Sequence, residues 1–116
     1  MTEKPVLVAG ATGYVGGRVV AALERAGAPL RALARRPEAL RGRVAASTAV
    51  VKGDCLDPAS LPPALAGVDT AYYLVHSMGS GKDFAALDAA AARNFGRAAR
   101  DAGVRRVVYV GGLGAG

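Results

Sequence analysis

The strongest constraint on the fold lies in residues 6–17, Val-Leu-Val-Ala-Gly-Ala-Thr-Gly-Tyr-Val-Gly-Gly, where an apolar run breaks into spaced glycines and then into a helical pattern. A valine-rich run of this kind reads as a strand buried on both faces. Downstream, Val15, Val19, Leu23 and Ala26 recur at steps of four, four and three, one stripe of a helix, and Gly27 supplies its stop. A strand that turns sharply into a helix aims the helix's free N–H groups and positive dipole end at one point, which makes a cradle for phosphate. In that layout Gly10 allows the tight turn, Gly13 the close approach of a phosphate, and Gly16 the close packing of helix on strand. The chain holds 16 glycines in 116 residues, so the triplet alone proves little. Its place between strand and helix carries the inference.

The same alternation runs through the rest of the chain. Apolar runs predict strands at 5–9, 29–34, 48–52, 68–75 and 106–110, with helices at 14–26 and 83–102 and a short helical turn at 37–40. Asp57-Pro58 marks a further helix start, with Asp as cap, that Pro62 and Pro63 keep short or irregular. In the longest helix Phe84, Leu87, Ala91, Phe95, Ala98 and Ala102 keep helical spacing, and Gly103 ends it. Strands joined by helical crossovers imply an α/β protein with a doubly wound parallel sheet in the order 3-2-1-4-5. Such sheets bind ligands beyond the carboxyl ends of their strands. Gly10 to Gly16, Arg35 and Arg36, Asp54 and Cys55, and His76 to Met78 all fall there. About twenty residues after the glycines an NAD site usually offers a carboxylate. This chain offers Arg35 and Arg36 instead, which points to NADP (NADPH) over NAD.

Composition narrows the classes further. A hydrophobic share of 52% and a mean hydropathy of +0.24 supply the core of one domain. Arg, Asp or Gly interrupts every apolar segment before the roughly 20 residues that a membrane span needs, so no membrane partner is expected. Thr2-Glu3-Lys4-Pro5 leads straight into a core strand, which argues against a signal peptide, and the single Cys55 cannot form an internal disulfide. A cytoplasmic location is the expectation. A net charge of +6 and a pI of about 10.1 raise nucleic-acid binding. Arg31, Arg35, Arg36, Arg41 and Arg43 do concentrate together, but in the region that would face an adenosine 2′-phosphate. No zinc-ligand spacing or aromatic stacking platform accompanies them, which disfavours a nucleic-acid partner. Arg93, Arg97, Arg100 and Asp101 read as the wet face of a helix.

With these residues in view, the chain resembles the extended and atypical branches of the short-chain dehydrogenase/reductase superfamily, the epimerase/dehydratase-like and NmrA-like NAD(P)-binding proteins. The resemblance rests on Gly-Ala-Thr-Gly-Tyr-Val-Gly at 10–16, Ala-Arg-Arg-Pro at 34–37, Gly-Asp-Cys-Leu-Asp at 53–57, Tyr-Leu-Val-His-Ser-Met at 73–78 and the segment 102–114. It implies a Rossmann domain in which Thr12, Gly13, Tyr14 and Val15 line the pyrophosphate, with Gly10 and Gly16 shaping the turn. It further implies that Arg35 and Arg36 hold the 2′-phosphate, that Asp54 with Cys55 or Leu56 borders the adenine, and that Leu74, Val75 and His76 run along the ribose. An arginine fork suits a phosphate dianion, and a carboxylate can accept from the adenine amino group. Each residue also admits a plainer role: Arg35 and Arg36 as a solvated pair, Asp54 as the cap of its turn, His76 as a partner of a backbone carbonyl, Cys55 as a small buried residue. Tyr72, Tyr73 and Tyr109 read as packing residues of the strands.

The superfamily's proton relay uses a tyrosine with a lysine four positions later, and a serine or threonine after strand five. Tyr14, Tyr72, Tyr73 and Tyr109 are followed at that distance by Arg18, His76, Ser77 and Leu113, and strand five is followed by Gly111-Gly112-Leu113-Gly114. The expectation is a single Rossmann domain over 1–116, truncated after strand five and lacking the catalytic and substrate region. It would bind NADP as part of an oxidoreductase and would not by itself be catalytic. The alternative is a non-enzymatic NADP-dependent redox sensor that acts through a protein partner. Substrate and reaction are not legible, and a homo-oligomer is compatible with the sequence.

Overall fold

A computed structural model describes residues 5–75 and 82–109. Its elements run β1 (Val6–Ala9), α1 (Tyr14–Arg25), β2 (Leu30–Ala34), a 3-10 turn (Pro37–Ala39), β3 (Ala49–Lys52), a second 3-10 turn (Pro58–Ser60), α2 (Leu61–Leu65), β4 (Thr70–Tyr73), α3 (Lys82–Asp101) and β5 (Arg106–Tyr109). All pairings are parallel and the sheet order is β3-β2-β1-β4-β5. The 3-2-1-4-5 expectation is met. The strands are shorter than the apolar runs, most clearly β4 at Thr70–Tyr73 against 68–75, because Val68 closes the preceding turn by donating to the Leu65 carbonyl at 3.0 Å.

Alternation along the central strand sends side chains into two separate cores. Leu7 and Ala9 face a core with Leu61, Leu65, Ala71, Tyr73, Phe95 and Ala99, while Val8 faces one with Val20, Leu30, Ala32, Ala34 and Leu40. Leu7, Val8 and Ala9 are fully buried, as a strand with helices on both faces requires. Phe95, also fully buried, fills the gap between α3 and the sheet, its ring 5.0 Å from that of Tyr73.

Helix faces depart from the expected stripes on both α1 and α3. On α1 the buried residues are Gly16 and Val20, and Val15 is 42% exposed. The line of closest approach runs through Gly16, where no side chain keeps the helix off the turn below it, so Val15 is rotated out of the core by about 100°, the turn per residue of an α-helix. On α3 the stripe holds at Ala91, Phe95 and Ala98 but not at Leu87, which is 48% exposed. The side chain of Phe84 lies outside the described residues. Asp57 sits at the cap position of its 3-10 turn, yet its carboxylate makes no capping bond; Ser60 N–H closes that turn on the Asp57 carbonyl at 3.0 Å. Helix α1 ends as anticipated. Gly27, at φ +76, lets its N–H reach Glu24 O, and Ala28 N–H reaches Leu23 O.

Candidate functional site

The carboxyl ends of β1, β2, β3 and β4 come level, since Ala9 is in register with Leu33 and Tyr73, and Ala34 with Lys52. Bonds from Gly53 N–H to Ala34 O and from Leu74 N–H to Ala9 O carry the pairing one step further. The segments 10–16, 35–36, 53–56 and 74–75 therefore leave the sheet along one edge. His76 and Gly111 to Gly114 lie outside the described residues.

The turn after β1 is built by backbone contact. Gly10 has φ +94, and a Cβ there would stand 2.8 Å from the Leu74 carbonyl carbon and 3.0 Å from Val75 N. Both conformation and space exclude a side chain. A Cβ on Gly16 would lie only 1.9 Å from the Gly10 carbonyl oxygen, so α1 rests directly on the turn. Gly13 differs. It is exposed, has φ −79, and its Cβ would meet only Gly10 O at an ordinary 3.5 Å. Nothing within the described protein requires a glycine at that position. Gly13 is also the N-cap of α1, with no side-chain cap bond, and the first turn holds no acidic residue. The N–H groups that open α1 precede its first internal bond, Gly17 N–H to Gly13 O, and so are left to an outside acceptor.

Arg35 and Arg36 leave the buried end of β2 into solvent, and among the described residues no carboxylate pairs with either guanidinium. Arg31 does not join them. Its guanidinium donates to the carbonyls of Ala64 at 2.6 Å and Ala66 at 2.8 Å, closing the end of α2. The arginine cluster read from the sequence thus loses a member, because Arg31 lies near the amino end of β2, away from the edge that Arg35 and Arg36 leave.

The loop after β3 is held by polar bonds. Asp54 Oδ1 accepts the Leu56 N–H at 2.9 Å, the turn-capping role weighed above, and its other oxygen makes no hydrogen bond among the described residues. Ser60 Oγ accepts the Asp54 N–H at 2.9 Å and lies 2.7 Å from the Asp57 carbonyl. Cys55 is buried; that burial, helped by the Asp54 charge, pushes its thiol up to about 11, so it stays protonated near neutrality. The phenol of Tyr73 is raised above its ordinary value, first by burial, and packs between Phe95 and Tyr109.

Two contacts went unforeseen. Arg18 Nη1 donates to the Tyr14 hydroxyl at 2.8 Å with its guanidinium 5.5 Å over the ring, an i, i+4 pair that helical spacing could have flagged. Asn94, on α3, donates from Nδ2 to the Cys55 carbonyl at 2.8 Å, across 39 residues with no local signal. Around the edge, apolar side chains face solvent: Tyr14 is 77% exposed, Leu56 44% and Val75 36%. Exposed apolar surface gathered on converging loops is what a ligand would cover.

A family profile described as NAD(P)H-binding matches residues 10–116, from the first glycine of this turn onward. The chain belongs to the NAD(P)H-binding family. It is 42% identical over 103 residues to a (4-alkanoyl-5-oxo-2,5-dihydrofuran-3-yl)methyl phosphate reductase of Streptomyces griseus subsp. griseus, covering 89% of this chain and 33% of that one. It is 34% identical to an NAD(P)H azoreductase of Xenophilus azovorans, covering 95% and 36%. Among solved structures, a Citrobacter sp. triphenylmethane reductase complexed with NADP(H) superposes with a TM-score of 0.77 at 33% identity, over 91% of this chain and 37% of that one. The chain thus spans about a third of the length of the curated relatives it matches. It is an NAD(P)H-binding, reductase-like domain of the atypical short-chain dehydrogenase/reductase type, and the resemblance stated from its motifs holds. No helix among the described residues is long and apolar enough to cross a membrane.

Proposed function

We propose that this chain holds NADPH along the carboxyl edge of its sheet, as the cofactor domain of a reductase. The observation that carries the reading is the pairing of an uncapped α1 start with two arginines at the end of β2, on the same edge, that have no carboxylate partner among the described residues. In this reading the N–H groups of Thr12, Tyr14, Val15 and Gly16 donate to the pyrophosphate, while Gly13 N–H stays on Gly10 O and the bare Cα of Gly13 leaves room for the phosphate oxygens. Gly10 and Gly16 keep those amides fixed before the ligand arrives. Arg35 and Arg36 take the 2′-phosphate, which a carboxylate at that point would repel. The free oxygen of Asp54 accepts from the adenine amino group, Cys55 and Leu56 flank the base, and Leu74, Val75 and His76 follow the ribose toward the nicotinamide. The relatives fit this reading, since the Citrobacter sp. triphenylmethane reductase is complexed with NADP(H).

Bound NADPH supplies a hydride. The chain's own residues bind and orient; none of its four tyrosines has a lysine four positions on, so the proton delivered with that hydride needs a group from elsewhere. The 116 residues alone are therefore expected to bind cofactor without turnover. Calorimetric titration of NADPH and NADH tests the core of the proposal: NADPH binds more tightly, and equal or inverted affinities would remove the 2′-phosphate argument. Arg35→Ala weakens NADPH by roughly 1.5–3 kcal/mol, the worth of a charged hydrogen bond, and leaves NADH nearly unchanged.

A further inference from the structure

The loop after β3 contains one peptide unit that is gripped at both ends. Its carbonyl, from Cys55, accepts from Asn94 Nδ2 at 2.8 Å, and its N–H, from Leu56, donates to Asp54 Oδ1 at 2.9 Å. The remaining bonds of Asp54 and Ser60 are internal to the loop. Among the described residues, Asn94 is the α3 side chain that hydrogen-bonds to this loop.

We propose that Asn94 is a positioning residue for base recognition, orienting the Asp54 carboxylate through the 55–56 peptide; this rests on the adenine role given to Asp54 above. A peptide plane is rigid, so fixing its oxygen fixes the direction of its N–H. That N–H in turn fixes one oxygen of the Asp54 carboxylate and aims the other. Donation to the carbonyl also polarises the amide and strengthens its N–H as a donor, as chained hydrogen bonds do. The buried, protonated Cys55 thiol brings no charge into this array near neutral pH. Without Asn94 the peptide could rotate, and the carboxylate would turn with it. Asn94 is only partly buried and borders the open groove between α2 and α3, so an apolar side chain of similar size fits there.

The test compares NADPH with its hypoxanthine analogue, in which a carbonyl oxygen replaces the 6-amino group, on the whole chain. The unsubstituted protein should prefer the adenine form on the order of tenfold, the effect of one hydrogen bond to a charged group. Asn94→Leu should bring that ratio close to one while keeping the preference for NADPH over NADH. Asn94→Ala, which adds no volume, is read the same way if the leucine variant does not fold. Equal weakening of both base forms with the ratio intact would mean that Asn94 only braces the fold, and would overturn the proposal. An unsubstituted protein that binds NADPH but does not distinguish the bases would overturn it too, with the cofactor reading left standing. A protein that binds no dinucleotide would remove both.

Discussion

The turn after β1 and the loop after β3 flank the same edge of the sheet and are held in opposite ways. The first is locked by exclusion: Gly10 and Gly16 bring backbone against backbone so closely that no side chain fits. The second is locked by polar bonds among Asp54, Leu56, Ser60 and Asn94. A steric lock is rigid and fails all at once. A hydrogen-bonded lock can be loosened one bond at a time, each net worth about 1 kcal/mol. Phosphate recognition is common to the dinucleotides and suits the first kind, whereas selectivity for a base suits the second.

The comparison breaks most visibly at Gly16. Gly16→Ala places a carbon 1.9 Å from a carbonyl oxygen with only backbone to yield. A loss of about 3 kcal/mol in denaturant melts is expected, the upper part of the usual overpacking range, with loss of NADPH binding. Gly13→Ala sharpens the contrast. Its Cβ makes only an ordinary contact, so stability should change by no more than about 1 kcal/mol, the span of N-cap preferences, while NADPH affinity still falls on the order of tenfold because the methyl enters the proposed phosphate space. In the polar loop, Ser60→Ala leaves the Asp54 N–H without its acceptor and should cost about 1 kcal/mol in thermal melts.

A last effect concerns pH and develops only in alkaline solution. The Cys55 thiol is raised from 9.0 to about 11 in the fold. An unfolded chain therefore releases this proton at lower pH than the folded one, and the stability it confers is intact below pH 9 and lost as pH rises toward 11. Melting temperatures of the unsubstituted protein should drop more steeply over that window than those of Cys55→Ala. Tyr73 is raised first by burial and next by the charge of Cys55, so the difference reports the thiol together with its coupling to that phenol.

Glycine spacing and strand–helix periodicity were enough to read the order of the sheet and the edge from which segments 10–16, 35–36, 53–56 and 74–75 leave it. Boundaries were less legible where turns borrow apolar residues, as Val68 does. The α1 stripe held at Val19 and Leu23 and failed at Val15, because the sequence shows which residues are apolar, not which glycine lets the helix come closest. Asp54 illustrates a choice that residue type leaves open: its carboxylate caps the turn with one oxygen, and the other makes no hydrogen bond among the described residues.

By itself the sequence determined the strand–turn–helix unit, the parallel order of strands and the convergence of candidate residues on one edge, since these follow from backbone conformation and repeating polarity over short stretches. Only the tertiary structure decided that Arg31 closes α2 while Arg35 and Arg36 meet no carboxylate among the described residues, and that Asn94 grips the Cys55 carbonyl. Those outcomes depend on groups 33 and 39 residues apart meeting within hydrogen-bonding distance, and no local pattern encodes the angle at which two packed elements present them.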